Sequence, residues 1–152
     1  MTGTRERANS SLDGNVGQER YELYKSAFTW IKEAIDNGYY LEAISIVESL
    51  ICDRLESHVS VLLNKDFGFK TLGTLINAIK QHETDPSLRS LILDELDEWR
   101  KARNRAAHEM VKIEAGKQIS WSERVKINEL TAKEGLALLR KIDRQVRVLR
   151  TK

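Results

Sequence analysis

From residue 39 to residue 64 the chain repeats apolar side chains every three or four positions, and no proline interrupts the run. Tyr40, Ile44, Val47, Ile51, Leu55, His58 and Leu62 fall on one stripe, with Leu50, Val59 and Leu63 widening it. That period belongs to an α-helix and to no strand. The width of the stripe predicts a central helix, touched on more than one side. The same period recurs over residues 19–37 (Tyr21, Tyr24, Phe28, Ile31, Ile35) and 71–82 (Leu72, Leu75, Ile76, Ile79). It recurs again over 86–109 (Leu88, Ile92, Leu96, Trp99, Arg103, Ala106, Met110), where Arg103 stands in an inward position.

The breaks between these runs carry stop and start signals. Asn37-Gly38 ends the first helix, because glycine takes a left-handed cap at little cost. Asp85-Pro86 restarts the fourth: Asp85 caps, and Pro86 occupies the first turn, where a missing N–H is harmless. In the loop at 65–70, Phe67 and Phe69 are expected to pack onto the bundle. Residues 112–122 read as a turn or extended connection marked by Gly116, with Trp121 stapling it to the core; their alternation also fits a short β-hairpin. Helix resumes near Glu123, and Thr131-Ala132-Lys133-Glu134 reads as a capping box opening a last helix along Leu136, Leu139, Ile142, Val146 and Leu149. The expected fold class is all-α, an antiparallel bundle of four to five helices. Residues 1–18 form a polar tail expected to be disordered, and 19–152 a single domain.

At 152 residues with net charge +2, the chain has no overall basic excess, so any polyanion site must arise from local clustering. One cysteine, Cys52, leaves no intrachain disulfide. No apolar run nears the ~20 residues of a bilayer span, and the N-terminus lacks an apolar signal core. The expectation is a soluble cytoplasmic protein with no membrane association. The three histidines and the cysteine show no metal-ligand spacing, and there is no glycine loop for a phosphate; neither cofactor nor metal is expected. His58 reads as a core histidine and His82 as a surface one.

The cluster that suggests chemistry lies at the end of the fourth helix, in Arg100-Lys101-Ala102-Arg103-Asn104-Arg105-Ala106-Ala107-His108-Glu109. At about 100° per residue, Asp97, Arg100, Asn104 and His108 share a face, so Asn104 is placed to orient the His108 imidazole. Arg103 points about 140° away from His108. The two converge on one phosphate only if the helix bends or ends, or if two copies face each other. A guanidinium fits a phosphate and its developing charge, and a histidine exchanges protons near neutral pH. The competing reading is ordinary: basic side chains in a last turn complement the helix dipole.

Arg103-Asn104-Arg105-Ala106-Ala107-His108 resembles the R-N-x-x-x-H form of the motif found in HEPN domains. These are small all-helical domains, many of them metal-independent endoribonucleases in toxin–antitoxin and antiviral defence systems. The resemblance covers 19–150 as architecture and 103–108 as residues. It implies a homodimer with paired motifs at a cleft. Its RNA substrate would be cut by the 2′-OH to a 2′,3′-cyclic phosphate and a 5′-OH, under a possible inhibitory or regulatory protein partner. Arg103 would hold the phosphate, His108 move a proton and Asn104 orient His108. Some toxins of this kind, silenced by AMP transfer, carry a tyrosine two residues after the histidine; here it is Met110. Glu48 on the second helix is expected near the cleft. Arg100, Arg105, Arg140, Arg144 and Arg147 are the candidate RNA-backbone contacts. The alternative is a non-catalytic helical module binding RNA, a nucleotide or a protein.

Overall fold

The structure, a computed structural model, describes residues 5–8 and 14–151. Five helical rods make one all-α bundle, with no strand among the described residues. They are α1 (Gly14–Asp36), α2 (Tyr40–Leu63), α3 (Leu72–His82), the rod α4 (Pro86–Ser90) to α5 (Asp97–His108), and α6 (Trp121–Arg150). A π-helical segment, Leu91–Leu96, joins α4 to α5 without a break, the residues on both sides keeping right-handed helical dihedrals.

The helix ends follow local chemistry. Gly38 turns the chain at φ +82°. Asn64 takes the left-handed conformation after α2 (φ 52°). The Thr71 and Asp85 side chains accept the Thr74 and Leu88 N–H groups. The box at Thr131 does not form. The same pattern eleven residues earlier is the real one: Ser120 Oγ accepts the Glu123 N–H at 3.1 Å, and Glu123 accepts the Ser120 N–H at 3.3 Å. Thr131 therefore sits inside one long helix and donates its hydroxyl to the Ile127 carbonyl at 2.9 Å.

Central α2 packs most extensively against α6, then α1 and α3. Its stripe is buried as expected: Ile44, Val47, Ile51, Leu55, His58 and Val59. Ile31, Leu75, Ile79, Leu88, Ile92, Leu96, Leu139 and Ile142 close around it. Each such side chain contributes roughly 1.5–3 kcal/mol on leaving water. His58 Nε2 lies 2.5 Å from Glu83 Oε1, inside the core. Trp99 of α5 lies across Gly135 of α6 and donates Nε1–H to the Thr131 carbonyl at 2.9 Å.

Three expectations need correction. The 109–120 connection is turn and bend, not a hairpin, and Trp121 is exposed. Arg124 fastens it instead, donating to the carbonyls of Ile119, Glu109 and Lys112 at 3.0, 3.1 and 2.9 Å. Phe67 packs against the core but Phe69 is exposed, with Arg5 stacked 5.3 Å from its centroid. The polar N-terminal stretch is helical from Gly14, and Arg7 is buried. Arg7 reaches Asp53 at 2.7 Å, Glu56 at 3.0 Å and Ser57 at 2.5 Å, which fixes residues 5–8 along α2. The remainder of that stretch, 1–4 and 9–13, lies outside the described residues.

Candidate functional site

The π segment ends at Leu96, so the regular wheel holds over Asp97–His108. Arg103 therefore turns inward toward α2, where it forms an ion pair with Glu48. Both side chains are mostly withdrawn from water, and Arg103 Nε is buried without a partner. An inward guanidinium requires an anion; here a carboxylate on the central helix supplies it.

The pair forms one wall of an open cleft of about 550 Å³, lined by Glu48, Cys52, Lys70, Arg100, Arg103 and Asn104 among others. Arg100 is held on Asp97, with both Nε and Nη2 at 3.0 Å from Oδ1. Among the described residues, no side-chain hydrogen bond engages Asn104, which lines the cleft. Burial, reinforced by Glu48 and Glu56 and opposed by Arg103, pushes the Cys52 thiol up to about 12. A thiol of that kind is no nucleophile near neutral pH.

The structure thus brings together Arg100, Arg103 and Asn104, with Glu48. It does not bring His108 to them. His108 is exposed at the end of α5, outside the cleft, and forms no hydrogen bond with Asn104. Arg105 lines a different hollow, beside Met110, Ile113 and Asn128. Arg140, Arg144 and Arg147 are exposed on α6, and each borders a different hollow. Within one chain, cation and imidazole are therefore separated, as the wheel requires.

Sequence reasoning placed Glu48 near the cleft but did not name Arg103 as its partner. Lys70 and Cys52 were not anticipated as cleft residues. Lys70 enters because the 65–70 loop returns over α2, where its N–H reaches Glu56 at 2.9 Å, and no periodicity encodes such a return; Cys52 lies on α2 itself, one turn beyond Glu48. Among the described residues, no three His, Cys, Asp or Glu side chains gather as around a metal ion. No helix is long and apolar enough to cross a membrane among the described residues. No protein-family model matches the chain, and no curated protein and no solved structure is significantly similar to it.

Proposed function

We propose that the chain is a HEPN-type, metal-independent endoribonuclease whose complete site needs two copies. The observation that carries the reading is the Arg103 arrangement. A guanidinium mostly withdrawn from water lies in an open cleft with Arg100, Asn104 and Lys70, and an exposed histidine follows a turn later. Arg103 of each copy binds the scissile phosphate and stabilises its growing charge. His108 relays a proton. The 2′-OH loses its proton and attacks the adjacent phosphorus, the bond from phosphorus to the 5′-oxygen breaks, and that oxygen is protonated. A cyclic phosphate and a 5′-hydroxyl result. Because His108 stands outside its own cleft, a second copy supplies the imidazole. The family resemblance adds a defensive or toxin-like role restrained by a protein partner.

A second reading, binding without cleavage, is favoured by one observation: Glu48 already neutralises Arg103 within the chain. The two separate in one experiment. A mixed RNA is incubated in EDTA with the parent and with His108→Ala, and the ends are analysed. Cyclic-phosphate ends from the parent alone support the nuclease. Equal background from both, with RNA affinity that Arg103→Ala removes, establishes the binding module instead.

A further inference from the structure

A second basic hollow lies elsewhere on the bundle, between α1, α2 and the end of α6, and shares no residue with the Arg103 cleft. Its volume is about 550 Å³, within the range of small-ligand pockets. Its cations are incompletely neutralised. Arg54 and Arg147 both lean on Asp143, at 2.7 and 3.2 Å. Arg7 and Arg20 share Asp53, at 2.7 and 3.1 Å, and Glu56 takes a further contact from Arg7 at 3.0 Å. Arg54 and Arg147 thus divide one carboxylate between them. Arg150 and Lys65 open onto the same hollow, and neither side chain has a hydrogen bond or ion pair among the described residues. The one carboxylate among the described lining residues, Asp66, is engaged with the Gly68 N–H at 3.0 Å. Arg150 registers the excess. Partial burial and repulsion from Arg54, Arg7 and Arg20 hold its pKa below the ordinary arginine value.

The hollow also offers an aromatic face. The Tyr24 ring is covered by Arg54, 4.9 Å from its centroid, and its hydroxyl donates to Asp53 at 2.5 Å. Tyr21 remains, on the lining and 61% exposed. We propose that this hollow binds a nucleoside phosphate, with the phosphate held by Arg150, Arg147 and Lys65 and the base stacked on Tyr21. Guanidiniums match phosphate oxygens in pairs, and stacking accepts any base. A free mononucleotide and the phosphorylated end of an RNA carry this chemistry equally. The inference does not depend on the nuclease reading, since its readout is binding.

The test titrates the purified full chain with AMP and inorganic phosphate by calorimetry, and with a short RNA bearing a 5′-phosphate or a 5′-hydroxyl by anisotropy. Arg150→Gln is expected to weaken AMP about tenfold or more, the loss of one charge-assisted hydrogen bond. Tyr21→Ala should weaken AMP and leave inorganic phosphate unchanged. RNA that binds through its 5′-phosphate and is displaced by AMP identifies an RNA end as the ligand. AMP binding with neither RNA bound identifies a free nucleotide. Absence of saturable AMP binding at millimolar concentration, or binding that Arg150→Gln does not weaken, overturns the proposal.

Discussion

Replacing Gly135 by alanine tests the contact that fixes the motif-bearing helix. A Cβ built there would lie 2.7 Å from Trp99 Cζ2 and 2.8 Å from Cε2 and Nε1. Ordinary carbon–carbon contact is about 3.5–4.0 Å, so the ring or the helix must retreat by roughly 1 Å. The ring cannot swing freely, because it is buried and its Nε1–H is bound to the Thr131 carbonyl. Overpacking of this kind costs about 1–3 kcal/mol, and loosening that hydrogen bond about 1 kcal/mol more. Against this, alanine gains about 1 kcal/mol over glycine in a helix interior. The net expectation is a destabilisation of roughly 1–3 kcal/mol. For a chain of this size that is a fall in Tm of about 3–10 °C. Thermal unfolding by circular dichroism measures it, beside Gly73→Ala, where a Cβ meets nothing within 4 Å. A Gly135→Ala protein as stable as the parent, or more so, would show that α5 is not held against α6 by this close approach. The position of Arg103, one turn beyond Trp99, would then need another explanation.

Glu56 and Arg7 make a pH-dependent clasp. Burial pushes the Glu56 carboxyl up, against the lowering effects of the Lys70 N–H and Arg7. With the folded pKa above the unfolded one, the folded state holds the extra proton. Its contribution to stability is present at low pH and lost as pH rises through the range just above the ordinary glutamate value. Denaturant melts across that range should show this slope, and Glu56→Gln should flatten it. Arg7→Ala leaves a buried carboxylate without its cation and should cost about 3 kcal/mol by urea unfolding; a loss under half that would mean residues 5–8 add little. Glu48→Gln removes the charge that occupies Arg103. Stability should fall by less than about 1 kcal/mol, since the pair retains some water. RNA affinity should rise and become more salt-dependent, and an unchanged salt slope would count against Arg103 as a phosphate ligand. Cys52 should alkylate with iodoacetamide roughly a thousandfold slower than a free thiol at pH 8, in keeping with its raised pKa.

Helix positions were legible because burial on a cylinder enforces a period, and α2, α3 and the inner faces of α1 and α5 carry it without interruption. The start of α6 was misplaced because two serine/threonine-x-x-glutamate patterns stand eleven residues apart, and only one adjoins a real chain break. Arg7 was not legible at all. Its burial depends on Asp53, Glu56 and Ser57 presenting three acceptors on a neighbouring helix, a coincidence in space that no linear pattern records. At the candidate site the wheel correctly separated Arg103 from His108, since both lie on one regular stretch of helix. What it could not give was the partner of Arg103, which belongs to another helix.

Charge shows the same limit in a form that bears on function. A net charge of +2 spread evenly would attract no polyanion. The fold instead pairs some cations with carboxylates of neighbouring turns, as Arg100 with Asp97 and Lys101 with Glu98 at 2.9 Å. It gathers others, Arg150 and Lys65 among them, around one hollow where α1, α2 and α6 converge. The Arg103 cleft, by contrast, carries its own counter-charge in Glu48. A phosphate entering the first hollow meets Arg150 and Lys65, which have no carboxylate partner among the described residues, whereas one binding Arg103 must displace a carboxylate. Binding at the two places should therefore differ in kind. The hollow at Arg150 should accept a small phosphate ligand directly. The cleft should engage an RNA only when enough of its backbone is held for Arg103 to exchange Glu48 for phosphate, which makes Glu48 the gate on the candidate chemistry.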